Sequence, residues 1–209
     1  MDPNDFGGFI FDVDGTLYSQ KKVRRVMFLR LCVYYALRPF LWKELCALAL
    51  FRRLREVREL RKNVDELCGE VSRRLNMSEL AVCRTVRFWM FENPLDLLLK
   101  YRYDTVFEFM KRAHSAGKKI IIYSDYPAAE KLAAMRIPYD LLFVSGENGI
   151  SEQKPSAEAM RKILDASGLA ADKLFYIGDR DDRDKASAEL AHIAYCHIAD
   201  FLKSPMWRL

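Results

Sequence analysis

Hydrophobic and polar residues alternate in two different ways along the 209-residue chain. In residues 6–18 and 105–200, five short apolar runs end at turns: GFIFD, KKIIIYSD, YDLLFVSG, KLFYIGD and HIAYCHI. Helical patterns separate the later runs, with Asp104 as an expected N-cap and Gly117 and Gly168 as expected helix ends. This alternation predicts an α/β fold with a doubly wound parallel sheet.

Residues 20–103 follow a helical pattern instead, because their apolar residues recur at helical spacing without strand-like alternation. Asn76 and Glu79 have the spacing of a capping box. Breaks between helices are expected at Pro39, Asn63, Asn76 and Asn93-Pro94. The pattern predicts four or five helices inserted after the first strand, and it divides the chain into a core of residues 1–19 and 104–209 and a helical domain of residues 20–103.

The composition excludes several classes of protein. With 51% hydrophobic and 30% charged residues the chain is globular. Five cysteines without CxxC spacing predict neither a disulfide framework nor a zinc site. The acidic start MDPNDFGG does not resemble a signal peptide. The most apolar region, residues 26–51, is interrupted by charged residues and a proline, so we expect a soluble, cytoplasmic protein without a membrane span.

Positive charge is concentrated in the helical insertion. Residues 19–105 contain 19 Lys or Arg against 10 Asp or Glu, while the whole chain carries a net charge of +5. This asymmetry favours an anionic substrate or surface. The basic segment 51–62 alternates arginines with Glu56 and Glu59, which is typical of an ion-paired, solvated helix face, and nucleic-acid binding is not expected. Contact with anionic lipid is the less favoured alternative.

An aromatic cluster in the insertion is interpreted as the core of the helical domain. Its members are Phe28, Tyr34, Tyr35, Phe40, Trp42 and Phe51. The alternative is an apolar surface that covers a lipid-like or aromatic leaving group. The three histidines have no metal-ligand spacing, so none of them is expected to bind a metal.

Polar residues of a specific kind follow the predicted strands. The first strand ends in Asp12 and Asp14, the second in Ser124, and the fourth in Asp179, while Lys154 follows the third. Ligands of open α/β sheets bind beyond the carboxyl ends of the strands. Buried carboxylates need a cation or hydrogen bonds to replace their lost solvent. These residues are therefore the candidate functional site.

The order DxDGT, Ser, Lys and GD with a further Asp resembles the haloacid dehalogenase superfamily. The segment FVSGENGISEQKPSAEAMRKIL is similar to its phosphoglycolate phosphatase-like branch, whose members carry an α-helical cap between the first two motifs. The resemblance covers residues 6–18 and 105–197 and places the helical insertion where that cap lies. It implies a doubly wound, Rossmann-type core with an inserted cap domain.

The resemblance also implies roles for the strand-end residues. Asp12 would be the nucleophile that forms an aspartyl-phosphate, and Asp14 the general acid and base. A Mg²⁺ ion would be held by Asp12, the backbone carbonyl of Asp14 and Asp179. An aspartate at position 14 fits phosphatases and phosphomutases, whereas the dehalogenase and ion-pump branches carry other residues there.

The remaining motif residues would contact the phosphoryl group or support the metal. Thr16, Ser124 and Lys154 would bind the phosphoryl oxygens. Asp184 matches the second aspartate of the last motif and would act behind the metal ligands, with Asp182 as the alternative. Asp125 departs from the family pattern, because relatives with a helical cap usually carry Asn there.

Together these features predict a Mg²⁺-dependent phosphatase that hydrolyses a small phosphate monoester. The alternatives are a phosphomutase of the same family, a membrane-surface phosphatase acting on a lipid-linked phosphate, and a binding protein that has lost turnover. The leaving group and the oligomeric state stay open, because phosphoglycolate-like acids, sugar phosphates, nucleotides and lipid-linked phosphates all fit the sequence.

Overall fold

The computed structural model describes residues 2–56, 64–147, 149–204 and 207. The chain forms two compact units. The larger one combines Met1–Gln20 with Leu98–Leu209, and the smaller one is Lys21–Leu97.

Helices fill the region between the first two strands. In the described part of this region there are five α-helices: α1 (Gln20–Ala36), α2 (Trp42–Glu56), α3 (Val64–Leu75), α4 (Glu79–Arg87) and α5 (Leu95–Tyr101). Among the described residues, this agrees with the predicted number of four or five. The expected break at Asn63 and residues 57–62 of the basic segment lie outside the described residues.

The expected capping box at Asn76 is wrong. Asn76 follows the end of α3 with a φ of +48°, a left-handed conformation that asparagine tolerates better than most residues. The N-cap of α4 is Ser78, and Glu79 is the first residue of that helix. Asn76 therefore helps to end one helix and does not start the next.

The aromatic cluster of the insertion divides into a buried and an exposed part. Tyr35 and Phe51 are buried, and the ring of Trp89 lies 5.9 Å from that of Tyr35. Phe28, Phe40 and Trp42 are exposed. The prediction that the cluster forms the core of the helical domain is wrong for these three residues. They lie on one side of α1 and at its turn into α2, where none of the described helices covers them.

Across the part of the chain that the structure describes, no helix has both the length and the apolar character needed to cross a bilayer.

All five apolar runs form strands of one parallel sheet. The strands are β1 (Gly8–Phe11), β2 (Lys119–Ser124), β3 (Leu141–Val144), β4 (Leu174–Gly178) and β5 (Ala194–His197). Their order is β3-β2-β1-β4-β5, so β1 lies at the centre between β2 and β4. The predicted α/β fold with a doubly wound parallel sheet is confirmed.

In the described part of the larger unit, five α-helices follow the insertion: α6 (Asp104–Ser115), α7 (Ala129–Met135), α8 (Ala157–Ser167), α9 (Ala186–Leu190) and α10 (Ile198–Lys203). Gly117 and Gly168 follow α6 and α8 with φ of +76° and +63°, as expected for helix ends. The expected N-cap at Asp104 is wrong, because the N-cap of α6 is Tyr103. The Asp104 carboxylate instead accepts a hydrogen bond of 2.7 Å from Arg102 Nη2.

The alternating side chains of β1 fill both faces of the sheet. Phe9 packs edge-on against Phe109 of α6, with ring centroids 4.9 Å apart. Ile10 points to the opposite face, into a buried cluster that contains Tyr123 of β2 together with Met160 and other residues of α8. A strand buried on both sides has a continuous apolar sequence, and the first polar residue after β1 is the buried Asp12.

Candidate active site

Three strand ends bring the first group of polar residues to one edge of the sheet. Phe11, the last residue of β1, is paired with Ile122 of β2 and with Ile177 of β4. The residues that follow these positions, Asp12, Ser124 and Asp179, therefore lie at the carboxyl edge. The backbone N–H of Asp12 still donates to Ile177 O, over 3.0 Å, which holds its backbone beside β4.

Three carboxylates form a cluster at this edge. Asp12, Asp179 and Asp184 each offer an oxygen, and these oxygens lie within 4.8 Å of one another. Burial and the neighbouring Asp184 raise the pKa of Asp179 to about 6. Burial also raises the pKa of Asp12, although Lys154 opposes this shift. A hard divalent cation binds oxygen ligands, and here it would stabilise the ionised form of these crowded carboxylates.

Lys154 connects two of these carboxylates. Its Nζ lies 2.7 Å from Asp12 Oδ1 and 2.9 Å from Asp184 Oδ1. The ring centroids of Tyr123 and Tyr176 lie 4.7 and 5.7 Å from the same ammonium. Burial lowers the pKa of Lys154, but the two carboxylates outweigh it, and the pKa lies well above its ordinary value. Lys154 is therefore a buried cation held by charge and by aromatic faces.

Asp184 organises the loop after β4. It accepts hydrogen bonds of 3.1 Å from the backbone N–H groups of Asp179 and Arg180, and one of 2.9 Å from the Tyr176 hydroxyl. By contrast, Asp182 is exposed and forms an ion pair with Arg180 over 2.9 Å. Of the two aspartates that sequence left open, only Asp184 lies in the carboxylate cluster.

The DGT turn fits closely around the cluster. The hydroxyl of Thr16 donates to Asp12 Oδ2 over 3.0 Å and is fully buried. Gly15 has a φ of +106°, and a Cβ at this position would stand 2.1 Å from Asp179 Oδ2. Glycine is therefore required both by the backbone conformation and by the approach of Asp179. A phosphate contact from Thr16 stays a prediction.

Asp14 faces a different set of partners. Lys131 Nζ lies 2.6 and 2.7 Å from its two carboxylate oxygens, and the Tyr18 hydroxyl donates to Asp14 Oδ1. Sequence reasoning missed both residues. Lys131 lies on α7 among ordinary helical residues and has no motif, so only a contact map could have found it.

Ser124 and Asp125 complete the edge next to β1. Ser124 is buried, and its Oγ accepts from the backbone N–H of Tyr126 over 3.2 Å. Asp125 Oδ1 accepts 2.8 Å from the backbone N–H of Lys154, and Asp125 Oδ2 accepts 2.9 Å from Arg183 Nη1. The carboxylate that departs from the family pattern thus anchors the Lys154 backbone and pairs with an arginine.

One histidine supports the carbonyl of Asp179. His197 Nδ1 accepts from the backbone N–H of Ala199 over 3.1 Å, which leaves Nε2 to donate to Asp179 O over 2.9 Å. Both ring nitrogens of His197 are thus used in hydrogen bonds to the backbone.

The structure therefore brings Asp12, Thr16, Lys154, Asp179 and Asp184 into one cluster. Ser124 lies at the same edge and is connected to Lys154 through Asp125. The Asp14 side chain is bound by Lys131 and Tyr18.

Known structures share this architecture. The protein YfnB from Bacillus subtilis, solved with bound magnesium, has 16% identity and a TM-score of 0.66 over 92% of this chain and 88% of its own. A 2-haloacid dehalogenase from Pseudomonas syringae has 15% identity and a TM-score of 0.66 over 91% and 85%. A predicted phosphoglycolate phosphatase from Haemophilus somnus has 16% identity and a TM-score of 0.57 over 91% and 84%.

These likenesses concern the fold, since the identities are low. No match was found among curated protein sequences. A family model for haloacid dehalogenase-like hydrolases matches residues 6–192, which include the DGT turn, both lysines of the site and the aspartates after β4. The chain belongs to the haloacid dehalogenase-like hydrolases.

Proposed function

We propose that the chain is a Mg²⁺-dependent phosphatase that hydrolyses a small phosphate monoester through an aspartyl-phosphate on Asp12. The observation that carries this proposal is the position of Asp12. It lies at the end of the central strand, within 4.8 Å of two further carboxylates, and it contacts both a buried ammonium and a buried hydroxyl.

The residues at the edge fit a magnesium ion. Asp12, Asp179 and the backbone carbonyl of Asp14 would hold it, with Asp184 behind them. All of these ligands are oxygens, which Mg²⁺ prefers. Burial, followed by the neighbouring carboxylate of Asp184, raises the pKa values of Asp12 and Asp179, and a bound cation would oppose both effects. When bound, the ion neutralises charge between a carboxylate and a phosphate.

The chain's own residues supply the chemistry of the two steps. An Asp12 oxygen attacks phosphorus, the bond from phosphorus to the ester oxygen breaks, and Asp14 gives that oxygen its proton. Asp14 then takes a proton from the water that attacks the aspartyl-phosphate and releases inorganic phosphate. Lys154, with Ser124 and Thr16, would hold the equatorial phosphoryl oxygens while charge develops on them.

The two units are proposed to divide the work. Residues 1–19 and 104–209 would form the catalytic core, since every residue named above lies there. Residues 20–103 would act as a cap domain that selects the leaving group. Their surplus of basic residues is compatible with an anionic substrate.

The test compares the wild type with Asp12→Asn, using a generic aryl phosphate with and without Mg²⁺. We expect hydrolysis that requires Mg²⁺ and that falls by at least about a thousandfold in the variant, because the carboxamide is not a nucleophile. Asp172→Asn, an exposed carboxylate before β4, is the matched control and should retain full activity. Substantial Asp12→Asn activity in folded protein would refute the role of Asp12.

A second assay distinguishes a phosphatase from a phosphomutase. Incubation with sugar monophosphates should release inorganic phosphate without forming the isomeric sugar phosphate. Accumulation of the isomer would show that the intermediate returns its phosphoryl group to a substrate instead of to water.

A further inference from the structure

The corner between α1 and α2 carries an unusual exposed surface, which we call the apolar corner. It consists of the exposed side chains Phe28, Leu29, Val33, Leu37, Phe40, Trp42 and Leu45. The exposed fractions of Phe28, Leu37, Phe40 and Trp42 are 65%, 72%, 75% and 58%. Single exposed apolar side chains are ordinary, but seven within 18 consecutive residues mark an interaction surface.

The apolar corner reverses the usual pattern of a surface helix. The inner side of α1 buries Val23, Met27 and Tyr35, so the outer side would normally be polar. Its outer positions at the end of the helix are apolar instead, namely Phe28 and Leu29 followed by Cys32, Val33 and Ala36. The C-terminal half of α1 is therefore apolar on both sides, and folding covers only one of them.

Basic residues predominate around the apolar corner. The carboxylate of Glu44, between Trp42 and Leu45, is half-buried and accepts a hydrogen bond of 2.9 Å from the Tyr35 hydroxyl. Residues 15–43 contain seven Lys or Arg and no Asp or Glu. Four of them, Lys21, Lys22, Arg24 and Arg25, lie on the first turns of α1, and Arg38 and Lys43 flank Phe40 and Trp42 at the corner. Basic residues beside exposed aromatic residues complement a surface whose outer layer is negatively charged and whose interior is apolar.

We propose that the apolar corner binds the surface of an anionic lipid bilayer. The aromatic and aliphatic side chains enter the headgroup region, and the surrounding lysines and arginines contact lipid phosphates. The proposed contact is with the bilayer surface, because the apolar side chains belong to a helix corner flanked by charged residues. A second copy of the chain is a poorer occupant, because a twofold interface through this corner would bring the same basic residues of both copies together.

Trp42 provides a direct readout of the proposal. The chain has three tryptophans, and the other two, Trp89 and Trp207, are buried. Vesicles of phosphatidylcholine with phosphatidylglycerol should shift the emission of the folded protein to shorter wavelength and protect it from acrylamide quenching. Trp42→Phe should still bind the vesicles but lose the shift. An emission spectrum that anionic vesicles leave unchanged at low salt would overturn the proposal.

Vesicle sedimentation tests which residues bind. We expect pelleting with the anionic vesicles, much less with phosphatidylcholine alone, and a decrease as salt rises. Phe40→Ser with Trp42→Ser should weaken binding at least about tenfold, because two apolar anchors are lost. Leu80→Ser removes a similarly exposed apolar side chain outside the apolar corner and should bind as the wild type does.

The charge contribution is tested in the same assay. Lys21→Glu with Lys22→Glu should weaken binding to anionic vesicles, whereas Lys111→Glu with Lys203→Glu, two exposed lysines of the larger unit, should not. Equal binding by all variants would overturn the assignment to this corner. So would a concentration-dependent dimer, seen by sedimentation velocity, that the Phe40 and Trp42 substitutions abolish while vesicles leave the protein unbound. If the serine variant unfolds, the wild-type fluorescence measurement decides alone.

Discussion

Lys131 donates to both carboxylate oxygens of Asp14, over 2.6 and 2.7 Å, although 117 residues separate them in the sequence. The Tyr18 hydroxyl contacts the same carboxylate. The proposed general acid and base is therefore held in a fixed orientation by a lysine from α7 and a tyrosine from the loop after β1. Two side chains outside the family motifs thus orient the proposed catalytic carboxylate.

Lys131→Met should lower kcat for an alkyl phosphate about tenfold, and much less for an aryl phosphate. The physical reason is that a poor alkoxide leaving group needs a well-oriented proton donor, whereas an aryl oxide leaves without one. The measurement is kcat on both substrates. Lys131→Arg should recover part of the alkyl activity, and Lys203→Met, at an exposed position, should change neither. Equal losses on both substrates would contradict an orienting role toward Asp14.

Lys154→Met should destabilise the metal-free protein by about 3 kcal/mol, because it leaves Asp12 and Asp184 buried without their shared cation. Urea unfolding in the presence of a chelator measures this loss. Adding Mg²⁺ should recover a larger share of stability in the variant than in the wild type, since the ion would replace the missing positive charge. Lys185→Met, which removes an exposed lysine, is the control. A variant as stable as the wild type would show that Lys154 does not balance the cluster.

Asp125→Asn should reduce stability by about 2 kcal/mol, because Asp125 and Arg183 form a buried ion pair over 2.9 Å. The amide oxygen can still accept from the backbone N–H of Lys154, so activity should fall less than stability. The second substitution Arg183→Gln should cost less in this variant than in the wild type, because the ion pair is already lost and the contact of Arg183 with Tyr126 remains to be removed. A double-mutant cycle from urea unfolding measures the coupling, and fully additive losses would contradict it.

The stabilising effect of Mg²⁺ should depend on pH. Asp179 has a pKa of about 6, above its ordinary value, and Asp12 shifts in the same direction. At these two carboxyl groups the folded, metal-free protein binds protons more tightly than the unfolded chain. Their contribution to stability is therefore fully present below about pH 4 and is lost as pH rises through about 6. Mg²⁺ competes with those protons. Adding Mg²⁺ should therefore raise the midpoint temperature of thermal unfolding more at about pH 8 than at about pH 5.

The matched variant for this measurement is Asp179→Asn. It removes one proposed ligand and one titrating group, so both the gain with Mg²⁺ and its pH dependence should shrink. A pH-independent gain in the wild type would argue that the ion binds elsewhere.

Much of the fold could be predicted from local pattern. Each apolar run became a strand. For β1, β2 and β4 the reason is that a strand buried on both faces must be continuously apolar whatever its neighbours are. The strand ends were equally informative, since parallel strands place their carboxyl ends at one edge and Asp12 and Asp179 are neighbours by that geometry alone. Helix starts were less predictable, and Ser78 and Tyr103 occupy the N-cap positions expected for Asn76 and Asp104.

The sequence by itself therefore determined the strand pattern, the family and the residue types at the edge of the sheet, because these follow from local periodicity and motif spacing. Only the tertiary structure decided that Lys131 binds Asp14, that Asp125 pairs with Arg183, and that Phe40 and Trp42 are exposed. Contacts between distant residues, and the choice of which side of an apolar helix is covered, depend on how the elements pack. Periodicity marks a side chain as apolar, but only its neighbours in space bury it.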